Sequence, residues 1–222
     1  MRSKTLGPLL LSLVGLLGLF ALGCSKKSAE DIPVLGQLPE FSLVDQDQQP
    51  FVRESMEGNL SVSAFVFTHC RSTCPRITAH MKGLQSRLSD LPSAQLVSVS
   101  VDPRNDTPEV IKAYMTKNAL DESNWRFVTG EEEAIRRVVV DGFRVGLGDE
   151  DSKAAGADDI MHSNSFVLVD AKAQVRGYYR ANNDGIADLE RDSLSRSGSA
   201  PSSLPPRSPS PSGRVNSKGK AS

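Results

Sequence analysis

Apolar residues recur along the chain at two spacings, one of period two and one of helical period. Phe41–Val44 and Pro50–Val52 flank the polar stretch DQDQQ and predict a β-hairpin. VSAFVFT, residues Val62–Thr68, is an almost unbroken apolar run of strand length, as a buried strand requires. The period then changes. Ile77, Met81, Leu84 and Leu88 form one helical stripe over Pro75–Leu88, and Pro75 suits the first turn. AQLVSVSVD, Ala94–Asp102, alternates as a strand. Thr107 is placed as an N-cap, with Pro108 opening a helix that runs to about Asn118. Trp125–Thr129 predicts a short strand, and Glu131–Val140 a helix whose acidic first turn complements its dipole. A Gly- and acid-rich loop fills Gly142–Met161, followed by a second hairpin, Ser165–Asp170 and Val175–Tyr179, across AKAQ. A last helix covers Asp184–Arg196. The order is hairpin, βαβαβα, then ββα. It predicts an α/β sandwich with a central mixed sheet and an N-terminal β-hairpin extension. Strands joined by helical crossovers put their carboxyl ends on one edge, where ligands bind.

The two ends of the chain read differently. Arg2 and Lys4 precede Leu6–Gly23, which carries no charge, and Cys24 follows at once. Ala21-Leu22-Gly23-Cys24 resembles a bacterial lipoprotein cleavage site, with a small residue before a cysteine that becomes lipid-modified. An uncleaved anchor is the alternative, the apolar run being at the short limit for crossing a bilayer. Either reading tethers the domain to the extracytoplasmic face of a bacterial membrane, in a compartment where a dithiol can be oxidised. The expected organisation is therefore a signal or anchor over 1–24, a polar tether over 25–33, one folded domain over 34–196 and a tail over 197–222. Residues 191–222 hold 11 Ser and 5 Pro with no apolar periodicity, so the tail is expected to be disordered.

Net charge is −1, with 26 basic and 27 acidic residues, which gives no global attraction to nucleic acid. Three cysteines are too few for a disulfide-rich scaffold. Cys24 belongs to the targeting segment, which leaves Cys70 and Cys74 in FTHCRSTCP, where the Val62 strand meets the next helix. Residues four apart share a helix face, roughly 5–6 Å apart at Cβ. A small rearrangement would bring them to the about 3.5–4.5 Å that a disulfide needs. Thiolates near a helix N-terminus are stabilised by its dipole and free amides, and Arg71 adds charge of the same sense. The pair can thus form a disulfide, catalyse thiol exchange or bind a soft metal such as Cu(I). A structural zinc site wants four ligands, and no second cysteine pair exists.

The histidines are His69, His80 and His162. His69 adjoins Cys70. His80 falls on the side of its helix away from the apolar stripe and reads as a surface residue. His162 opens HSNSFVLVD, just before a strand inside the sheet, so its loop can approach the cysteine edge. Asp102 and Asp106, in VDPRNDTP, lie at the same edge. A turn and helix start account for them, and an electrostatic contact with a partner is the functional alternative. GDEDSKAAGADD reads as a solvated acidic loop leading into His162.

FTHCRSTCP, VSVDPRNDTPEVIKAY, NWRFVTG and HSNSFVLVDAKAQVRGYY together resemble the Sco/SenC family of copper-binding proteins, in the right order over roughly residues 33–195. The resemblance implies a thioredoxin-like fold and one copper ion per chain, held by Cys70, Cys74 and His162. It implies a role in assembling the CuA centre of cytochrome c oxidase, by delivering copper, by reducing the receiving cysteines, or both. The partner would be the copper-bearing subunit of the oxidase or another copper chaperone. His69 is not the ligand in that family, and Arg71 stands where the family often has proline.

Two other classes compete. A thiol–disulfide oxidoreductase of thioredoxin fold would use Cys70 and Cys74 as its redox pair. Against it, the motif is C-x-x-x-C, and no proline occurs from Ala154 to Ser165, where thioredoxins carry one. A peroxidase would need only one reactive cysteine at a helix start, and no other feature favours it. The sequence therefore reads first as a metallochaperone and second as a thiol–disulfide reductase.

Overall fold

The computed structural model describes residues 32–146 and 164–196. The targeting segment with Cys24, most of the tether, most of the acidic loop, His162 and the Ser/Pro-rich tail lie outside the described residues. Among the described residues, no helix is long and apolar enough to cross a membrane.

Among the described residues, eight strands form two sheets. β1 (Gly36–Gln37), β4 (Leu60–Val66), β5 (Ala94–Ser100), β6 (Trp125–Val128), β7 (Ser165–Val169) and β8 (Gln174–Arg180) make a six-stranded sheet in the order β1-β8-β7-β4-β5-β6. β4, β5 and β6 run parallel, while β7 is antiparallel to β4 and β8 to β7, so the sheet is mixed as expected. β2 (Ser42–Val44) and β3 (Pro50–Val52) form the predicted hairpin as a sheet of their own. A bridge between Val44 and Thr129 ties the hairpin to the end of β6.

β4 is central, and every residue in it is buried. Its alternate side chains serve two separate cores, as the period of a strand dictates. Val62, Ala64 and Val66 face Ile77, Met81 and Leu84 of α1 (Cys74–Arg87), Ile111 and Met115 of α2 (Pro108–Lys117), and Ile186 and Leu189 of α4 (Asn183–Arg196). Phe65 faces the other core, with Leu43 and Phe51 of the hairpin and Val97 and Val99 of β5. Ile135 of α3 (Glu132–Arg136) joins that second core. The sheet is thus covered on both faces, which suits its near-continuous apolar parallel strands.

Thr107 caps α2 as the sequence predicts, its hydroxyl accepting from the Val110 amide, with Pro108 opening the helix. Three elements differ from expectation. β1 was not foreseen, because two residues carry no periodicity; main-chain pairing with β8 creates it. The helix expected over Glu131–Val140 keeps α-helical bonding only to Arg136, then widens into a π-helix over Arg137–Gly142 that buries Val138 and Val139. A four-residue 3-10 helix, Arg53–Met56, follows β3 and buries Met56. α4 begins hard against β8. A Cβ at Gly185 would run into the Arg180 main chain, so only glycine fits there.

Thr107→Ala should cost about 1 kcal/mol in chemical unfolding, the usual penalty for losing an N-cap, with Thr107→Ser close to wild type. Equal midpoints for wild type and Thr107→Ala would contradict the capping role.

Candidate functional site

β4 ends at Val66 and α1 begins at Cys74, so the chain must turn between them at the carboxyl edge of the parallel strands. The turn is anchored first at Thr68. Its amide and hydroxyl both donate to Asp106, the hydroxyl at 2.6 Å, which fixes the chain beyond β4 to the loop after β5. The Cys70 amide then donates to the Phe67 carbonyl at 3.3 Å. Thr73 opens the helix through its carbonyl, which accepts from the amides of Arg76 and Ile77. Pro75 occupies the first turn, where its missing N–H leaves no donor unpaired.

Only Cys74 is helical. Cys70 lies in the turn, so the pair does not share a helix face as its spacing suggests. The turn nevertheless brings the two close enough that the Cys74 amide and thiol help to stabilise a thiolate at Cys70. The side chains are free thiols, Cys70 half-buried and Cys74 with 3% of its surface exposed.

That difference in burial separates their chemistry. At Cys70 burial acts to raise the pKa, but the Cys74 amide, the Ser72 hydroxyl and amide, and the Cys74 thiol outweigh it and bring the value to about 6. The Ser72 hydroxyl stands 3.6 Å from the sulfur. At Cys74 burial is the largest effect and carries the pKa up to about 12. The Phe67 amide opposes it, while the Cys70 sulfur and the Asp106 charge reinforce it. The expectation that a helix start lowers both thiols therefore holds for Cys70 and fails for Cys74. Desolvation outweighs the dipole at the buried position. Near neutrality the pair shares one proton, which sits on Cys74. Arg71 is exposed, and its charge is not among the causes that set the Cys70 value.

The neighbouring groups fall into place around this pair. His69 Nε2 lies 3.3 Å from Asp102 Oδ2, and its ring packs edge-on against Phe67. Asp102 also accepts from the Asn105 side chain. Asp106 has no solvent exposure, so the partner contact considered for it is unavailable and its role is internal. His80 is half-buried rather than fully exposed, in a groove between α1 and α4 lined by Ala79, Gly83 and Ile186. Three contributors were not foreseen. Ser72 lies within the quoted motif, and a hydroxyl beside a thiolate was a readable signal. Tyr114 packs against the same core cluster as Cys70, with its hydroxyl 3.0 Å from that of Thr78. The pattern gives these two only as helix residues, because their proximity depends on how α1 and α2 pack.

His162 lies outside the described residues. Among the described residues, no three His, Cys, Asp or Glu side chains come together as a metal site. Cys70 and Cys74 supply two sulfur donors at this edge. The described chain resumes at Asn164, whose carbonyl accepts from the Ala181 amide, and enters β7 at Ser165. β7 is antiparallel to β4, with Ser63 opposite Val167, so β7 starts at the edge where β4 ends. Two sulfur donors, one of them partly exposed, suit a soft monovalent ion better than a hard divalent one.

A family model described as SCO1/SenC matches residues 35–192. The SCO1 protein homolog of Bacillus subtilis (strain 168) is 31% identical over 186 residues, covering 82% of this chain and 94% of its own. Among solved structures, a SCO1/SenC family lipoprotein from Bacillus anthracis str. Ames is 34% identical with a TM-score of 0.62, covering 72% of this chain and 95% of its own. BsSco, described as a member of the Sco family of cytochrome c oxidase assembly proteins with a disulfide switch, is 28% identical with a TM-score of 0.64. That match covers 76% of this chain and 98% of BsSco. The shared architecture is the thioredoxin-like sandwich with its central mixed sheet.

Alkylation by iodoacetamide should separate the two thiols. Cys70 reactivity should rise through a midpoint near pH 6 and level off above it, since only the thiolate reacts. Cys74 should stay unmodified in the folded chain up to pH 9. Equal rates at both cysteines, or a Cys70 midpoint near the ordinary value of about 8.5, would contradict the assigned asymmetry.

Proposed function

Because the chain belongs to the SCO1/SenC family, we propose that it is a membrane-tethered, extracytoplasmic copper-binding protein. It assists assembly of the CuA centre of cytochrome c oxidase by delivering copper, by reducing the receiving cysteines, or both. The observation that carries this reading is the pair of free thiols at the carboxyl edge of the sheet, Cys70 partly exposed and Cys74 buried. Copper is cargo in this account. The Cys70 thiolate, already deprotonated, makes first contact. Cys74 then exchanges its proton for the metal, and His162 completes a three-coordinate set of one ion per chain. Uptake therefore releases protons and weakens in acid. The partly exposed Cys70 provides the route by which a partner's ligands take the ion over.

The anchoring reading follows the sequence: residues 1–24 act as a lipoprotein-type signal or anchor, 25–33 as a tether and 34–196 as the copper-binding domain. The tail, 197–222, extends from it. The partner is the copper-bearing subunit of the oxidase or another copper chaperone.

The same asymmetry favours thiol–disulfide exchange as the second reading. Cys70 is the accessible attacker and Cys74 the resolving thiol. The Cys70 thiolate attacks one sulfur of a partner disulfide and displaces the other as a thiolate. The Cys74 sulfur then attacks Cys70 and displaces the first, its proton passing to the leaving sulfur. Two electrons move to the partner, and a Cys70–Cys74 disulfide remains. The C-x-x-x-C spacing and the absence of proline between Ala154 and Ser165 speak against a general oxidoreductase.

Anaerobic titration with Cu(I) against a moderate chelator tests the copper reading. Wild type should retain about one ion per chain, Cys70→Ala and Cys74→Ala none, and His162→Ala should bind about tenfold or more weakly. A wild type that yields all its copper to the chelator, yet rapidly reduces a generic disulfide, would favour the second reading.

A further inference from the structure

The chain enters its fold along the outer edge of the six-stranded sheet, and a largely buried arginine fixes the entry point. Arg176 Nη1 donates to Asp170 Oδ2 at 3.0 Å, the two side chains being 10% and 12% exposed. Its Nη2 donates to the Ile32 carbonyl. The Leu35 and Leu38 amides donate to the Val175 and Ala173 carbonyls, on either side of the pairing of β1 with β8. Ile32 is buried and so belongs to the folded body. The side chains that follow it turn outward. Among the described residues three large apolar side chains are exposed, and two of them, Val34 at 51% and Leu35 at 41%, stand together here. Two cations adjoin them. Arg144 is exposed, and a Cβ at Gly36 would stand 3.6 Å from its Nε. Tyr178 holds the chain leading into Arg144 by donating to the Phe143 carbonyl at 3.0 Å. Lys172 is exposed, and its carbonyl accepts from Gln37 Nε2 at 3.0 Å. The acids Glu40 and Asp170 are paired with Arg53 and Arg176. Asp141 is exposed as well, so the apolar pair rather than net charge marks this edge.

Aliphatic side chains flanked by cations suit the interface of a bilayer, where the first meet acyl chains and the second phosphate groups. We propose that the β1–β8 edge is a membrane-contact surface: Val34 and Leu35 enter the interface of the bilayer that holds the chain, and Arg144 and Lys172 meet its phosphates. The inference rests on the membrane-tethered reading above. Cys24 and Ile32 are eight residues apart in the sequence. A lipidated Cys24 would thus hold Ile32 within about 28 Å of the bilayer even with the chain fully extended. So short a tether keeps the edge at an effective concentration of order millimolar, at which a weak contact is populated. The contact also orients the thiols. β4 is the third strand inward from β1, so its end stands roughly 14 Å above that edge at about 4.8 Å per strand. The strands then run along the membrane surface. The carboxyl edge with Cys70 opens sideways, toward a partner held in the same membrane.

Photo-crosslinking of the full chain in nanodiscs tests this. The discs contain phosphatidylethanolamine and phosphatidylglycerol, with a diazirine on the head group of some of the former. Adducts are mapped by peptide and counted against those on residues 25–31, which tethering alone brings to the lipid. They should concentrate on the peptides carrying Val34–Gln37, Arg144 and Lys172, and spare the Cys70 turn and α1. Val34→Ser with Leu35→Ser should lower adducts on this edge by about fivefold or more. Adducts spread evenly over the domain, or a yield unchanged by the double variant, overturn the inference while the tether stands. Should the double variant fail to fold, Arg144→Glu decides: the yield should fall about fivefold on these anionic discs, and an unchanged yield overturns the proposal. If wild type elutes free of the discs, the tether reading itself fails and the inference falls with it.

Discussion

The chemistry at the sheet's carboxyl edge depends on one buried carboxylate holding the end of β4. Without the bonds from Thr68 to Asp106, the segment from Phe67 to Thr73 would be an ordinary surface turn, free to carry its cysteines apart. With them, the chain leaves β4 in a fixed direction, toward the start of α1. Cys70 folds back over the helix start. Burial then does the rest. The same desolvation that makes Cys74 part of the core keeps its proton in place, and that retained proton helps stabilise the thiolate of Cys70. Packing and reactivity are thus two consequences of one placement.

Much of this was readable in the residues. β4 and α1 announce themselves by a change from strand to helical period, and Thr107-Pro108 marks the start of α2 to the residue. Those signals are local, set by side-chain spacing and capping chemistry. The features that were not readable depend on distant partners. β1 exists because β8 offers main-chain groups to pair with, and the π-helical turn after α3 exists because Val138 and Val139 must both reach the core. At the site, the sequence correctly places the cysteines at a strand–helix junction. It does not tell an exposed thiol from a buried one, because that depends on where β4 lies in the sheet. For the same reason Asp106 looks like an ordinary helix-start acid beside Asp102. Its removal from solvent becomes visible only once the ends of β4 and β5 lie side by side.

Two unequal sulfurs suit the proposed uptake and surrender of a soft ion. An exposed thiolate gives a partner a point of entry, while a buried thiol resists oxidation and binds only when a metal displaces its proton. The arrangement also explains why copper handling and thiol exchange are close alternatives on this scaffold. Both begin at Cys70 and need Cys74 to give up a proton, and they part only at the third group, His162.

The central claim is that Cys70, Cys74 and His162 hold one copper ion together, and X-ray absorption of the Cu(I)-loaded protein tests it most directly. The account predicts two sulfur scatterers and one nitrogen in wild type, with the nitrogen lost or replaced in His162→Ala. A first shell without sulfur, or one unchanged by His162→Ala, would contradict it.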